Sequence, residues 1–158
     1  MSQQATVTEA MFLADTDLEL AAKPRGRPIH KILASFSAAY FVGAFITDLV
    51  YWRDPDVLWE RFSIWLIVAG LVVAGLAVIA YVIDLASGRQ IDRPVWPGIV
   101  GYAIAIVLSV MNAFVHSRDA YTAVVPTGLM LSGLVVVLLL TSWAGTAMAN
   151  RSRVGGLS

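Results

Sequence analysis

Four long apolar segments, separated by short charged ones, constrain the fold of this chain most strongly. The segments cover residues 32–52, 62–83, 95–115 and 124–148. None of them contains Lys or Arg, and Asp48 is the only acidic residue inside them. Each is longer than the ~20 apolar residues that a helix needs to cross a bilayer. The sequence therefore predicts an all-α integral membrane bundle of four transmembrane helices. The predicted helices cover about residues 32–52, 62–85, 95–116 and 124–148.

The composition agrees with a single membrane domain. Only 14% of the residues are charged and 58% are hydrophobic, whereas a soluble domain carries about 25% charged residues. We expect a polar, acidic and mobile N-terminal tail at 1–26, the membrane domain at 27–150 and a short basic tail at 151–158. Cys is absent, which excludes disulfides, thiolate metal sites and catalytic thiols.

The basic residues predict the orientation of the helices. In an antiparallel bundle of four spans, both termini and the middle loop share one side of the membrane. That side carries eight of the eleven basic residues, namely Lys23, Arg25, Arg27, Lys31, Arg89, Arg93, Arg151 and Arg153. The other side carries Arg53, Arg61 and Arg118. Because Lys and Arg concentrate on cytoplasmic loops, we expect both termini in the cytoplasm.

Small residues at a spacing of four predict how the helices pack. In the first helix the set is Ser35, Ala39, Gly43 and Thr47. In the third helix it is Gly101, Ala105, Ser109 and Ala113. This spacing places each set on one helix face, and small residues let membrane helices approach closely. The two faces are therefore the predicted contact surfaces of the bundle.

Polar residues near the outer end of the bundle form the first candidate site. They are Asp48, Asn112, His116, Arg118 and Asp119. Polar groups at membrane depth are costly and often functional, and His titrates near neutral pH, so one interpretation is a binding or proton-handling site. The alternative, which we favour, is structural. In that case Asp48 pairs with Arg118 or Arg53, and Asn112 bonds across helices.

A second candidate is an inner-face pair, with His30 at the start of the first helix and Asp84 at the end of the second. The two histidines cannot ligate one haem, because His30 and His116 lie at opposite faces of an antiparallel bundle, ~30 Å apart. The sequence contains no cluster of metal ligands, no catalytic arrangement of side chains and no nucleic-acid patch. It therefore predicts a protein that is not an enzyme and has no metal site.

Short motifs along the chain carry a resemblance to a known family. They lie at residues 27–31, 47–52, 62–66, 69–70, 83–85, 112–119, 125–129, 143–145 and 153–155. Together they resemble the bacterial DUF2231 family over about residues 27–156. The resemblance implies a four-helix domain of the inner membrane without an established role, and it gives both candidate sites priority. Many relatives carry a His after the Trp that begins the third helix, whereas Pro97 follows Trp96 here.

Three functions remain open from the sequence. The leading hypothesis is a non-enzymatic structural or accessory subunit, embedded in the lipid bilayer as a homo-oligomer or within a larger membrane complex, with no cofactor. The first alternative is an electron-transfer module that binds haem b or a quinone. The second is a small proton-coupled carrier that uses Asp48 and His116, although carriers usually have more helices and inverted repeats.

Overall fold

The architecture consists of long helices that follow one another along the chain. It comes from a computed structural model that describes residues 28–87, 96–117 and 124–155. The helices are α1 (Ile29–Arg53), α2 (Val57–Ala86), α3 (Trp96–His116) and α4 (Leu129–Gly155). A kinked π-helical turn, Val124–Gly128, precedes α4: Val125 inside it has extended backbone angles (φ −119°, ψ 123°), and the Val125–Pro126 peptide bond is cis. Within these described ranges, four helical segments are long and apolar enough to cross a membrane, which confirms the predicted all-helical membrane fold.

Three helices extend beyond the predicted ranges: α1 starts at Ile29, α2 starts at Val57 and α4 ends at Gly155. α2 begins at Val57 because the Asp56 side chain caps it, accepting a hydrogen bond from the backbone N–H of Leu58 at 2.9 Å. α4 continues to Gly155, beyond the apolar segment. The predicted C-terminal tail is thus helical over 151–155. The predicted N-terminal tail at 1–26 lies outside the described residues.

The helices pack mainly in two sequential pairs. α1 packs chiefly on α2 and α3 chiefly on α4, while contacts of α1 with α4 and of α2 with α3 join the pairs. The centre is an apolar layer of residues from α1, α3 and α4, namely Ala38, Phe41, Ala105, Val135 and Leu139. This layer separates the polar groups at the two ends of the bundle.

The structure supports one predicted contact surface and corrects part of the other. On α3, Gly101, Ala105 and Ser109 are buried as the spacing predicted. On α1, Ser35 and Ala39 are exposed, whereas Gly43 and Thr47 are half-buried. The fully buried residues of α1 are Ser37, Ala38, Phe41, Ala44, Asp48 and Tyr51. Their alternation of three- and four-residue steps is typical of helices that cross at a shallow angle, and it places two aromatic rings in the contact beside small residues.

A glycine on α2 makes room for the Phe41 ring of α1. A Cβ atom at Gly70 would lie 2.7 Å from Cε1 and 2.9 Å from Cδ1 of the Phe41 ring. Phe41 itself is only 3% exposed. The close packing of α1 on α2 therefore depends on a ring that lies directly over a glycine, in keeping with the role of small residues in membrane helix contacts.

The outer surface is strongly apolar. Large side chains exposed on it include Trp65, Phe114, Met130 and Trp143. A soluble monomer rarely exposes large continuous apolar patches, whereas lipid tails solvate such side chains. The surface and the length of the helices together indicate a protein embedded in lipid.

Candidate functional site: two aspartate–histidine pairs

The buried pair consists of Asp48 on α1 and His116, the last residue of α3. Nε2 of His116 lies 3.1 Å from Oδ1 of Asp48. Both side chains are 0% exposed. The pair joins two helices that are not consecutive in the chain. It therefore fixes α1 relative to α3 through polar atoms rather than through a packed helix interface.

A serine from α2 completes the contact at Asp48. Ser63 is fully buried, and its hydroxyl donates to Asp48 Oδ1 at 2.5 Å. The carbonyl oxygen of Ala44, one turn before Asp48, lies 3.4 Å from the same hydroxyl. Asp48 thus brings three helices together. Ala44 and Asp48 share a helix face because they are four residues apart, which directs the carboxylate toward α2 and α3.

The second ring nitrogen of His116 is also engaged. Nδ1 donates to the backbone carbonyl oxygen of Asn112 at 3.0 Å. Gly128, at the end of the π-helical turn, packs against the ring: a Cβ atom there would lie 2.9 Å from Cε1 of His116. The imidazole is therefore held on both nitrogens and covered by backbone.

Two buried acceptor atoms lie beside these bonds. Within the part of the chain that the structure describes, Oδ2 of Asp48 and Oδ1 of Asn112 are buried and have no hydrogen-bond partner. Asn112 is 2% exposed and Asp48 is 0% exposed. Buried polar atoms nearly always have a hydrogen-bond partner. Two unpaired acceptors beside His116, one on Asp48 and one on Asn112, therefore mark this end of the bundle as a candidate site.

The rim pair consists of His30, at the start of α1, and Asp84, near the end of α2. Nδ1 of His30 donates to Oδ2 of Asp84 at 2.9 Å, and each side chain is 11% exposed. The Tyr81 ring contacts His30 edge to face, with centroids 5.3 Å apart. The carboxylate fixes the imidazole as the Nδ1–H form when it is neutral, which leaves the lone pair on Nε2.

A third polar contact lies between the two pairs. The Ser37 hydroxyl of α1 and the Tyr102 hydroxyl of α3 are 2.5 Å apart. Ser37 is 0% exposed. Like the buried pair, this bond joins α1 to α3. Along α1, the apolar layer around Phe41 and Ala105 lies between this contact and Asp48.

The structure brings together some of the predicted site residues and not others. His116 and Asp48 meet, as do His30 and Asp84. Asp48 pairs with His116 instead of Arg53, which is exposed, and the Asn112 side-chain oxygen forms no bond across helices. The predicted partners Arg118 and Asp119 lie outside the described residues. Within those residues, no group of three or more His, Cys, Asp or Glu could hold a metal ion.

The sequence analysis missed Ser63 and Tyr102. A signal for Ser63 exists, because Asp48 and Ser63 lie at similar sequence distances from the α1–α2 connection at 54–56 and so reach similar depths in adjacent helices. No comparable signal marks Tyr102, since an aromatic residue in an apolar segment is ordinary in a membrane helix.

Comparison with known proteins identifies the family. The family described as a predicted membrane protein, DUF2231, matches residues 26–157. The chain belongs to the DUF2231 family. No curated protein and no solved structure matches it.

The DUF2231 match includes every residue of both pairs and excludes only the first 25 residues and the last one. It confirms the resemblance carried by the sequence motifs. The family description is that of a membrane protein, and it gives no activity.

Proposed function

We propose that this protein is a non-enzymatic structural or accessory component of a bacterial inner membrane. The observation that supports this proposal most is that the polar side chains inside the bundle bond one helix to another. The pairs Asp48–His116 and Ser37–Tyr102 join α1 to α3, and the pair His30–Asp84 joins α1 to α2. In lipid, bonds of this kind hold helices together. Full burial of Asp48 and His116 also separates them from any soluble substrate.

The proposed topology is antiparallel, with both termini in the cytoplasm. The start of α1 contacts the end of α2 through His30 and Asp84, and the last turns of α1 contact the first turns of α2 through Asp48 and Ser63. These contacts support opposite directions for the two helices. The excess of Lys and Arg on the side of both termini supports a cytoplasmic location. A reporter fused at Ser158 that is active only outside the cytoplasm would overturn this topology.

An accessory role implies a partner, either a second copy or a larger membrane complex. The exposed small residues of α1 support such an association. Ser35 and Ala39 are exposed in the first half of α1, and small residues allow another helix to approach closely. This exposed part of α1 is therefore the proposed assembly surface.

Crosslinking in native membranes tests the accessory role. We expect the full chain to be recovered with a partner or as a homo-oligomer, and Ala39→Leu to reduce the crosslinked fraction several-fold. Gly75→Leu on α2 is the matched control, because a Cβ atom at Gly75 meets nothing within 4 Å. A chain that stays monomeric in mild detergent and forms no crosslinks in membranes would contradict the proposal.

A second candidate function is electron transfer with bound haem or quinone, favoured by the rim pair. Asp84 accepts from Nδ1 of His30, which leaves Nε2 of a neutral His30 as a ligand atom, as in histidines that bind metals. Only one histidine could serve one haem. His116 bonds to Asp48, eighteen residues along α1 from His30, and this separation corresponds to about 27 Å along a helix.

The visible spectrum of protein purified from haem-replete cells separates the two candidates. A Soret band that sharpens on reduction and disappears in His30→Ala, but persists in His116→Ala, would support electron transfer. A featureless spectrum would exclude the haem form and leave the accessory role in first place. Quinone binding is tested separately by extracting and identifying lipids that purify with the protein.

A further inference from the structure

The contacts of His116 determine where its first ring proton lies. Nδ1 is 3.0 Å from the backbone oxygen of Asn112. A carbonyl oxygen accepts hydrogen bonds but has no hydrogen to donate, so Nδ1 must carry the hydrogen of this bond. A neutral His116 is then the Nδ1–H tautomer, and its Nε2 has only a lone pair.

The contact of Nε2 with Asp48 requires one more proton. Nε2 lies 3.1 Å from Oδ1 of Asp48. An ionised carboxylate only accepts hydrogen bonds, and a bare Nε2 does the same. The two atoms can form a hydrogen bond only if a proton lies between them. With the proton on Nε2 the pair is imidazolium and carboxylate, and with the proton on Asp48 it is imidazole and carboxylic acid.

The surroundings of the buried pair favour this proton. Among the described residues, the pair with this proton is neutral overall, whereas without it a single carboxylate stays buried at 0% exposure. An uncompensated charge at such a position costs much more than a neutral pair.

The neighbouring groups come from each element that packs around the pair. α2 contributes the Ser63 hydroxyl, which donates to Asp48, and Glu60 in its first turn. α1 contributes buried Tyr51 one turn beyond Asp48, and the π-helical turn contributes Gly128, which covers the His116 ring. Among the described residues, the cation recorded beside Asp48 is His116 itself when it is protonated.

We infer that Asp48 and His116 form a proton-binding site, in which one proton is held between α1 and α3 inside the membrane-spanning bundle. The site goes beyond the proposed accessory function, because a purely structural contact needs no exchangeable ligand. Uptake transfers a proton from hydronium to the pair and leaves water, and release reverses this step.

The two unpaired acceptors suggest how the proton reaches the site. Oδ2 of Asp48 and Oδ1 of Asn112 are buried without partners among the described residues. Acceptors of this kind can bind a water molecule that enters the bundle. Because Gly128 covers the imidazole, exchange requires a local separation of the π-helical turn from α3, so we expect it to be slow compared with exchange at His30.

Nuclear magnetic resonance on the full chain in lipid nanodiscs counts the protons directly. The chain has two histidines, so His30→Gln assigns the ¹⁵N signals of His116, while ¹³C labelling reports the carboxyl of Asp48. At about pH 8, above the ordinary titration range of His, we expect a protonated Nδ1 and one further proton on either Nε2 or Asp48. A bare Nε2 beside an ionised Asp48, a proton on each of them, or a bare Nδ1 would overturn the inference.

Two variants show whether the second proton depends on Asp48. In Asp48→Asn the amide can donate to a bare Nε2, so the hydrogen bond needs no extra proton and we expect neutral His116 with hydrogen on Nδ1 alone. Doubly protonated His116 in this variant would contradict the inference. Ser63→Ala is the control, since it removes a neighbour but neither partner and leaves the proton count unchanged. The wild-type count decides the matter even if the variants do not fold.

Discussion

The rim pair and the buried pair combine the same two residue types at different depths of the bundle. His30 engages one ring nitrogen and is 11% exposed, as is Asp84. His116 engages both ring nitrogens, and its side chain and that of Asp48 are 0% exposed. A neutral His30 satisfies its bond to Asp84, whereas the bonds of His116 require an additional proton. Two pairs of the same residue types therefore differ in the number of protons that their hydrogen bonds require. The difference arises from solvent access and from the number of acceptors around each imidazole.

The largest expected difference between the two pairs is the loss of stability when each histidine is removed. We expect His116→Ala to reduce the free energy of unfolding by about 3–5 kcal/mol, because it leaves the Asp48 carboxylate buried without its partner. His30→Ala should cost about 1 kcal/mol, since water reaches Asp84 in part. The five Trp residues allow thermal unfolding in detergent to be followed by fluorescence. Equal losses for the two variants would show that depth does not distinguish the pairs.

Replacing both members of the buried pair should recover most of that loss. In Asp48→Leu/His116→Leu no buried charge remains, and apolar replacements of buried ion pairs are often neutral or stabilising. We expect the double variant to regain about 3 kcal/mol relative to His116→Ala. The double-mutant cycle is completed with each single Leu variant. Additive losses would indicate that the two side chains do not interact.

Crowding the imidazole should test how tightly the buried pair is enclosed. A Cβ atom at Gly128 would lie 2.9 Å from Cε1 of His116, so we expect Gly128→Ala to cost about 1–3 kcal/mol through overpacking. Gly145→Ala on α4 is the matched control, because a Cβ atom there meets nothing within 4 Å. A Gly128→Ala variant as stable as the control would mean that the turn yields easily around His116.

The smallest expected effect concerns the serine that supports Asp48. Ser63→Ala removes the donor to Oδ1 and should cost about 1.5 kcal/mol, the lower end for a hydrogen bond to a charged group. Ser35→Ala serves as the control. Its hydroxyl is exposed and bonds only to the carbonyl oxygen of Lys31 one turn earlier, so its loss should leave the melting temperature unchanged. If both variants behave alike, Ser63 contributes nothing particular to the buried pair.

The number and approximate extent of the helices could be predicted from the sequence because a bilayer imposes a length and an apolar composition. The face that each helix buries was harder to predict. On α3 the small residues Gly101 and Ala105 are buried, but on α1 the exposed face carries Ser35 and Ala39 while Phe41 packs inside. In lipid, apolar residues are tolerated on every face, so hydrophobicity does not indicate which one is internal.

The candidate site was predictable in part for a similar physical reason. Polar residues at membrane depth stand out in an apolar sequence, so Asp48, His116, His30 and Asp84 could be selected without a structure. Their pairing could not, because it depends on the rotation of each helix. One expected partner of Asp48 was Arg53, which ends α1 and is exposed, whereas the structure pairs Asp48 with a histidine from α3.

The apolar layer around Phe41, Ala105 and Val135 has an electrical consequence. Between the two pairs, the described interior holds this layer and the Ser37–Tyr102 hydroxyl contact, so it is a region of low dielectric constant. Two unit charges about 27 Å apart would interact by only about 0.6 kcal/mol at an effective dielectric constant of about 20. Each end of the bundle can therefore change its charge state almost independently of the other, and a stimulus at one face leaves the opposite pair undisturbed.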